Sequence, residues 1–212
     1  MRASELAFWS YLALLAAVGA GRLLEMRISR RHQRALAARG AGRAADPGFP
    51  AMVALHTGVL VASAVEVVAL ERPFIPALAA PAFVVFVLAN VLRWWVIATL
   101  GLHWNVQVMG SLSLGVVTSG PYRFVRHPNY VAVFVELLAL PLVHTAWITA
   151  LVGAGLHAAV LRSRLRAEEA VLSSDEVYRA AMGGKPRFIP SWGRARSQPT
   201  PSSASTPTWP TS

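Results

Sequence analysis

Apolar residues in this chain come in long uninterrupted runs rather than at the three-to-four-residue spacing of a half-buried helix. Residues 6–21 contain no Asp, Glu, Lys or Arg, 51–70 contain only Glu66, 73–92 contain none, and 131–161 contain only Glu136. A bilayer core about 30 Å thick is crossed by about 20 mainly apolar helical residues, so each run is read as membrane-embedded. The pattern predicts span 1 over about Leu6 to Gly21, span 2 over Ala51 to Leu70 and span 3 over Ile75 to Ile97. A helix through all of Val131 to Leu161 would be about 46 Å long, too long for one simple crossing. Pro141 divides that run, which predicts a helical hairpin returning the chain to the side it left.

Between these runs the pattern changes. An arginine-rich amphipathic stretch follows span 1 to about Arg39 and ends in the breaker cluster of residues 40–50. It is expected to lie on the inner leaflet, drawn by anionic headgroups. Residues 94–122 carry no charge but are rich in Gly, Ser and Trp, and read as an interfacial loop with room for short strands or turns. From Arg162 to about Met182 the sequence is charged and helix-compatible, and Gly183-Gly184 ends it. After Pro190 the Ser, Thr, Pro and Arg content cannot bury a core, so residues 191–212 are expected to be disordered.

Composition agrees: 55% of residues are hydrophobic and 14% charged, which excludes an ordinary soluble domain. The net charge of +10 would suit a nucleic-acid binder, but the basic residues flank apolar runs, and no nucleic acid is expected as a partner. Seven arginines lie between the first two spans, and eight basic residues run from Arg162 onward. The positive-inside rule makes both stretches cytoplasmic and the N-terminus external, with span 1 a retained anchor. Without cysteine the chain has neither disulfides nor thiolate metal sites.

Two polar clusters stand out. Gly120-Pro121-Tyr122-Arg123-Phe124-Val125-Arg126-His127-Pro128-Asn129-Tyr130 directly precedes an apolar helix. Pro128 keeps His127 out of helical geometry and suits the first turn, and a helix N-terminus at the membrane surface offers N–H groups and a positive dipole end to a carboxylate. The plainer reading is a basic interfacial turn. The second cluster is Arg164-Leu165-Arg166-Ala167-Glu168-Glu169. Arg164 and Glu168 form an i,i+4 pair, which as a surface pair contributes only about 0.3 kcal/mol. Alternatively, one carboxylate binds the ribose hydroxyls or ammonium of a cationic cofactor.

These residues resemble the isoprenylcysteine carboxyl methyltransferases and their bacterial relatives. Arg126, His127, Pro128 and Tyr130 match an Arg-His-Pro-x-Tyr motif, and Arg164, Leu165, Glu168 and Glu169 match an Arg-hydrophobic-x-x-Glu-Glu motif. Tyr178 and the closing residues Pro186 to Pro190 also look like the family's C-terminal end. Upstream, Arg22-Leu23-Leu24-Glu25, Leu55-His56-Thr57, Leu92-Arg93-Trp94-Trp95 and residues 100–105 resemble a bacterial subgroup associated with O-methylation of alkylpyrones and alkylresorcinols. Ala132 departs from the pattern, standing where many relatives have glycine, and its methyl group bears on backbone approach to the cofactor.

The resemblance implies an all-α integral membrane protein of about five transmembrane helices, whose cytoplasmic C-terminal helix forms the cofactor site. Residues 1–190 would be the methyltransferase domain, with a catalytic region of about 100–190. The cofactor would be S-adenosylmethionine, bound by Tyr122, His127, Pro128, Tyr130, Glu168 and Glu169. Arg93 and Arg164 are the catalytic candidates, and His56, Trp94 and Asn105 would contact the acceptor. The expected partners are the bilayer and a lipophilic or prenylated acceptor, and the expected location is a bacterial inner membrane with the site facing the cytoplasm.

The remaining polar groups inside apolar runs are His56, Glu66, Asn90, Arg93 and Glu136. Intramembrane ionisable groups are costly and need partners or functions. Arg93 either snorkels to headgroups or orients an anionic acceptor, and Glu66 is read as protonated or paired with Arg93. His56, His144 and His157 are isolated in sequence, which favours hydrogen-bonded packing over metal ligation, and no metal is expected. An acceptor ionised near pH 4, like a carboxylate, needs no base, whereas a phenol titrating near 10 does. The competing readings are an NADPH-dependent sterol-type reductase, which has a similar Arg-x-Pro-Asn-Tyr segment, and a non-enzymatic membrane scaffold.

Overall fold

The computed structural model describes residues 3–43, 48–107, 109–110 and 115–190. The tail expected to be disordered lies outside the described residues. Those described form a helical protein: α1 (Ala3–Ala37), α2 (Phe49–Ala69), α3 (Pro76–Leu100), α4 (Pro128–Leu142), α5 (Trp147–Leu172) and α6 (Glu176–Met182). A two-residue antiparallel ladder pairs Gly42 with Gly110 and Arg43 with Met109, fulfilling the expectation of short strands near the interfacial loop.

Three helices, Ser4–Ala37, Phe49–Ala69 and Pro76–His103, are long and apolar enough to cross a membrane. The apolar helix α4 is shorter, at 15 residues, and α5 carries a charged second half. Outward-facing Val61, Val65, Phe83, Leu88, Leu151 and Leu156 are exposed, the reverse of a water-soluble surface. Trp9 and Trp147 are exposed at one end of the bundle, and Trp94 and Trp95 toward the other. From Pro76 to Trp94, α3 rises about 27 Å, close to a hydrocarbon thickness, as expected for two interfacial aromatic levels.

Successive helices alternate in direction. Tyr11 and Leu15 near the start of α1 pack with Val67 late in α2, Ala82 and Phe86 early in α3, and Leu140 late in α4. The opposite end therefore gathers the C-terminal ends of α1, α3 and α5 and the N-terminal ends of α2 and α4. Both sequence motifs lie at that end. The α4–α5 hairpin has the predicted form, with the turn at residues 143–146. Thr145 takes a left-handed conformation (φ 57°) there and donates from Oγ1 to the Pro73 carbonyl at 2.7 Å. Gly153 of α5 lies against α2 so closely that an added Cβ would stand 2.8 Å from Val59 Cγ2.

Several expectations change. The helix after span 1 does not stop at Gly21, because nothing between Arg22 and Ala37 breaks it, and α1 is continuous for 35 residues. The interfacial loop starts later than predicted: Trp94 to Leu100 continue α3, because Val96 and Ile97 bury against Trp104. The charged segment from Arg162 is not a separate helix but the second half of α5, and a break at residues 173–175 separates it from α6. Glu66 does not meet Arg93. It accepts from Thr149 N (2.7 Å), Thr149 Oγ1 (2.7 Å) and Ile148 N (3.2 Å), and from Arg72 Nε at 3.0 Å. An anionic acceptor at the first turn of α5 answers both its orphan N–H groups and its dipole. Asn90 back-bonds to the Phe86 carbonyl at 3.0 Å.

Candidate active site

A cavity of about 500 Å³ lies at the motif-bearing end, within the size range of small-molecule sites. Its polar wall is built by the two motifs. His127 precedes α4 in a non-helical conformation (φ −127°), Pro128 opens the helix, and Tyr130 follows in its first turn. Tyr130 donates to Glu168 of α5 through its phenol hydroxyl, and Tyr122, Asn129, Arg164 and Tyr178 line the same space. Arg164 also donates from Nη2 to the Val106 carbonyl at 2.8 Å, holding the loop after α3 against α5.

The acidic pair divides its work. Glu168 faces the cavity, whereas Glu169 is not among the lining residues. Glu169 accepts from Arg187 Nε (2.9 Å) and Nη2 (2.6 Å), and lies 3.2 Å from His127 Nε2 and 3.4 Å from Arg126 Nη1. Burial alone would raise the Glu169 carboxyl, but the bonds from Arg187 and His127 hold it below the usual carboxylate range. This clamp straps the C-terminal segment over the first motif. The Arg126 and His127 amides donate to the Pro186 and Arg187 carbonyls at 2.9 and 3.0 Å, and Lys185 Nζ donates to the Tyr122 carbonyl at 2.7 Å. Phe188 packs against the His127 ring, with centroids 6.2 Å apart.

Two phenols stay protonated in this setting. Burial, reinforced by the Glu168 charge, raises Tyr122 far above the usual value and pushes Tyr178 up to about 12. Both are therefore neutral groups able to donate to a bound molecule. The Asn129 Oδ1 and Gln107 Oε1 acceptors are buried without partners in the same lining. Unmet acceptors of this kind suit a ligand bearing amino or hydroxyl donors.

The other wall belongs to the membrane helices. Leu23 and Met26 of α1 and Met52, Val53 and Leu60 of α2 make it largely apolar. A buried charge network stands beside them. Arg93 donates to Glu25 from Nε (2.8 Å) and Nη2 (2.5 Å), Arg22 donates to Glu25 at 2.8 Å, and Arg22 also pairs with Glu136. Arg93 thus does not reach headgroups; it is 6% exposed, and its Nη1 is buried without a partner. Sequence reasoning names Arg22 and Glu25 only in the resemblance and at the charged end of span 1, and does not pair them with Arg93 or Glu136.

The other sequence candidates fall as follows. His56 and Asn105 line the cavity, whereas Trp94 faces outward and does not. Pro128 is fully buried behind the wall, and Ala132 is 1% exposed and also outside the lining, so its methyl packs in the core rather than toward the cavity. His56 and His157 are not isolated: their rings meet edge to face with centroids 6.0 Å apart. Hydrogen-bonded packing holds for His56, whose Nδ1 lies 2.7 Å from the Met52 carbonyl, but His144 and His157 are buried without hydrogen-bond partners. Among the described residues no group of three or more His, Cys, Asp or Glu could hold a metal. Met182 of α6 also lines the cavity, and no sequence signal marked it.

Known proteins extend these observations. The chain is similar to YpbQ, an uncharacterized protein of Bacillus subtilis, with 28% identity over 80% of this chain and 99% of that protein. It is also similar to an uncharacterized protein of Haemophilus influenzae, with 28% identity over 74% of this chain and 92% of the relative. Residues 82–174, which hold both motifs and the hairpin between them, match the model of the isoprenylcysteine carboxyl methyltransferase family, and this match supports a membrane methyltransferase.

Proposed function

We propose that the protein transfers a methyl group from S-adenosylmethionine to an oxygen of a lipophilic acceptor, at the inner face of the membrane. The observation that carries this reading is the joining of Tyr130 and Glu168, from two separate motifs, in a cavity whose other wall is apolar. The Glu168 carboxylate suits the cationic end of a cofactor, while Arg22, Arg93, Arg126 and Arg164 line the same cavity. The buried acceptors of Asn129 and Gln107 and the phenols of Tyr122 and Tyr178 fit the amino and hydroxyl groups of a nucleoside.

When bound, S-adenosylmethionine would supply an electrophilic methyl group on a sulfonium. The chain's own residues do the rest. Tyr130 fixes the Glu168 carboxylate so that the cationic end of the cofactor meets a placed charge rather than a mobile one. The α1 and α2 side chains Leu23, Met26, Met52 and Val53 receive the acceptor's tail from the bilayer. Arg93, held by Glu25 with Nη1 unbonded, orients the acceptor oxygen. Methyl transfer is an in-line displacement in which positioning supplies much of the rate, and attack by an anionic oxygen on a cation is favoured where water is excluded. Arg164 ties the walls together through Val106, and the Glu169–Arg187 clamp closes the far side.

Equilibrium binding to the full chain in nanodiscs tests this. S-adenosylmethionine is expected to bind and NADPH not to. Binding of NADPH alone would favour a reductase, and binding of neither would remove the cofactor site.

A further inference from the structure

We infer that the arginine face at the end of α1 binds anionic lipid headgroups, and that this contact steadies residues 103–107 as a wall of the cavity. The inference goes beyond the methyltransferase reading and does not depend on it, because it concerns the wall and not what the cavity binds. Rather than turning onto the membrane surface, the arginine-rich stretch continues α1 without a break, so one outward face can be followed along the helix. Ala20, Leu23 and Leu24 are exposed on that face. Arg27, Arg30, Arg31 and Arg34 follow at the same three- and four-residue steps and are exposed too. A face that meets lipid tails at Leu23 and Leu24 meets headgroups one turn later. Glu25 bonds Arg93, next to the Trp94 and Trp95 level, and so marks the edge of the hydrocarbon. At about 1.5 Å per residue, Arg27 to Arg34 lie about 3 to 14 Å beyond it, and their long side chains reach a headgroup layer about 5 to 8 Å deep. Among the described residues none of the four has an acidic partner, and at these spacings they repel one another. Anionic headgroups set between them relieve that repulsion.

The opposite face of the same half-helix holds the wall. Glu25, Ser29 and Leu36 are buried there. Ser29 Oγ accepts from the Val106 amide at 3.0 Å, and His32 donates from Nδ1 to the Trp104 carbonyl at 2.7 Å. Ile28 packs against the cluster of Val96, Ile97 and Trp104. Residues 103–107 all line the cavity, and the Val106 carbonyl accepts from Arg164 of α5. The wall therefore hangs between α1 and α5, and a displacement of the end of α1 carries Trp104 and Val106 with it. Headgroups that favour one placement of the arginine face favour, by linkage, one placement of the wall.

The test is hydrogen exchange of the full chain, with no cofactor added, in nanodiscs of phosphatidylcholine with and without phosphatidylglycerol. It is read on peptides covering residues 103–107. In wild type the anionic lipid is expected to slow exchange there about 5-fold or more, the size of ordinary coupling between two sites. High salt should shrink the effect. Peptides from the α4–α5 turn, at the opposite membrane surface, meet the same surface acidity and serve as the reference. The variant carrying Arg27→Gln, Arg30→Gln, Arg31→Gln and Arg34→Gln keeps good helix formers at exposed positions, and is expected to lose the response to lipid. Equal wild-type exchange in the two discs overturns the inference, and would turn the search to an acidic protein as the partner of this face. The same slowing in the fourfold variant, or an equal slowing at the α4–α5 turn, overturns it as well. Because no cofactor or acceptor enters the measurement, its outcome is separate from that of the methyltransferase reading.

Discussion

Tyr130 donates a hydrogen bond to Glu168 across the cavity, although 38 residues and a complete helical hairpin separate them in sequence. The contact exists because α4 and α5 run antiparallel, so the start of one helix meets the second half of the other. Were the chain to continue straight from α4, the acidic pair would lie far from the Arg-His-Pro-x-Tyr segment.

Replacing Glu168 with Gln keeps the shape of the wall and removes its charge. A hydrogen bond to a charged group is worth about 1.5–3 kcal/mol. The expected loss of S-adenosylmethionine affinity, by calorimetry in nanodiscs, is therefore about 10- to 100-fold. Tyr130→Phe should lose less, since the carboxylate keeps its charge, and unchanged binding in Glu168→Gln would remove that residue from the site.

Arg93 and Glu25 form a buried pair inside the membrane-spanning region. Removing one member strands the other, at a cost of about 3–5 kcal/mol, whereas replacing both by apolar residues is often close to neutral. Arg93→Met is expected to lower the unfolding temperature in detergent sharply, and Arg93→Met with Glu25→Leu to recover most of it, because Arg22 keeps its partner Glu136. Both variants should lose transfer activity.

The Glu169 clamp gives a pH dependence whose sign follows from its lowered carboxyl. A depressed folded-state value means that the stabilisation is fully present above the ordinary value of 4.5 and is lost as pH falls through the folded value below it. Hydrogen exchange at the Arg126 and His127 amides, which bond to residues 186 and 187, should be strongly protected relative to the intrinsic rate at neutral pH and lose that protection only below 4.5. Arg187→Ala should lower that protection at neutral pH as well. Since Arg187 is half exposed, high salt should weaken the wild-type clamp in part.

Gly120 is required twice over. Its φ is +54°, and an added Cβ would stand 2.5 Å from Thr99 Oγ1. Gly120→Ala is expected to cost about 1–3 kcal/mol from the backbone alone. Thr99→Ser would relieve only part of this, and thermal unfolding of the two single variants and the double variant separates crowding from backbone strain.

Much of this architecture is legible in the amino-acid sequence, because membrane embedding is written in run length and charge placement. The runs at 51–70 and 73–92 correspond to α2 and most of α3, and the hairpin follows from the length of 131–161. Helix ends are less legible. A helix stops where a breaker or a packing change stops it, and neither Gly21 nor Trp94 supplies one. Partner choice is least legible. Glu66 meets Thr149 and Arg72 rather than Arg93, and Arg93 meets Glu25, because register between helices depends on how close they approach, as at Gly153, and no single helix records that. The two motifs announce which residues meet, but not that Glu168 faces the cavity while Glu169 binds the C-terminal strap.

The central claim is methyl transfer through the Glu168 wall. Reconstituted full-length protein, given methyl-labelled S-adenosylmethionine and a lipid extract from cells lacking it, should move label into the organic phase as a product one methyl group heavier. Glu168→Gln, folded to the same thermal stability, should move about 10- to 100-fold less at a cofactor concentration below the wild-type Kd. Equal label from both proteins, or no labelled lipid from the wild type while it binds the cofactor, would contradict it.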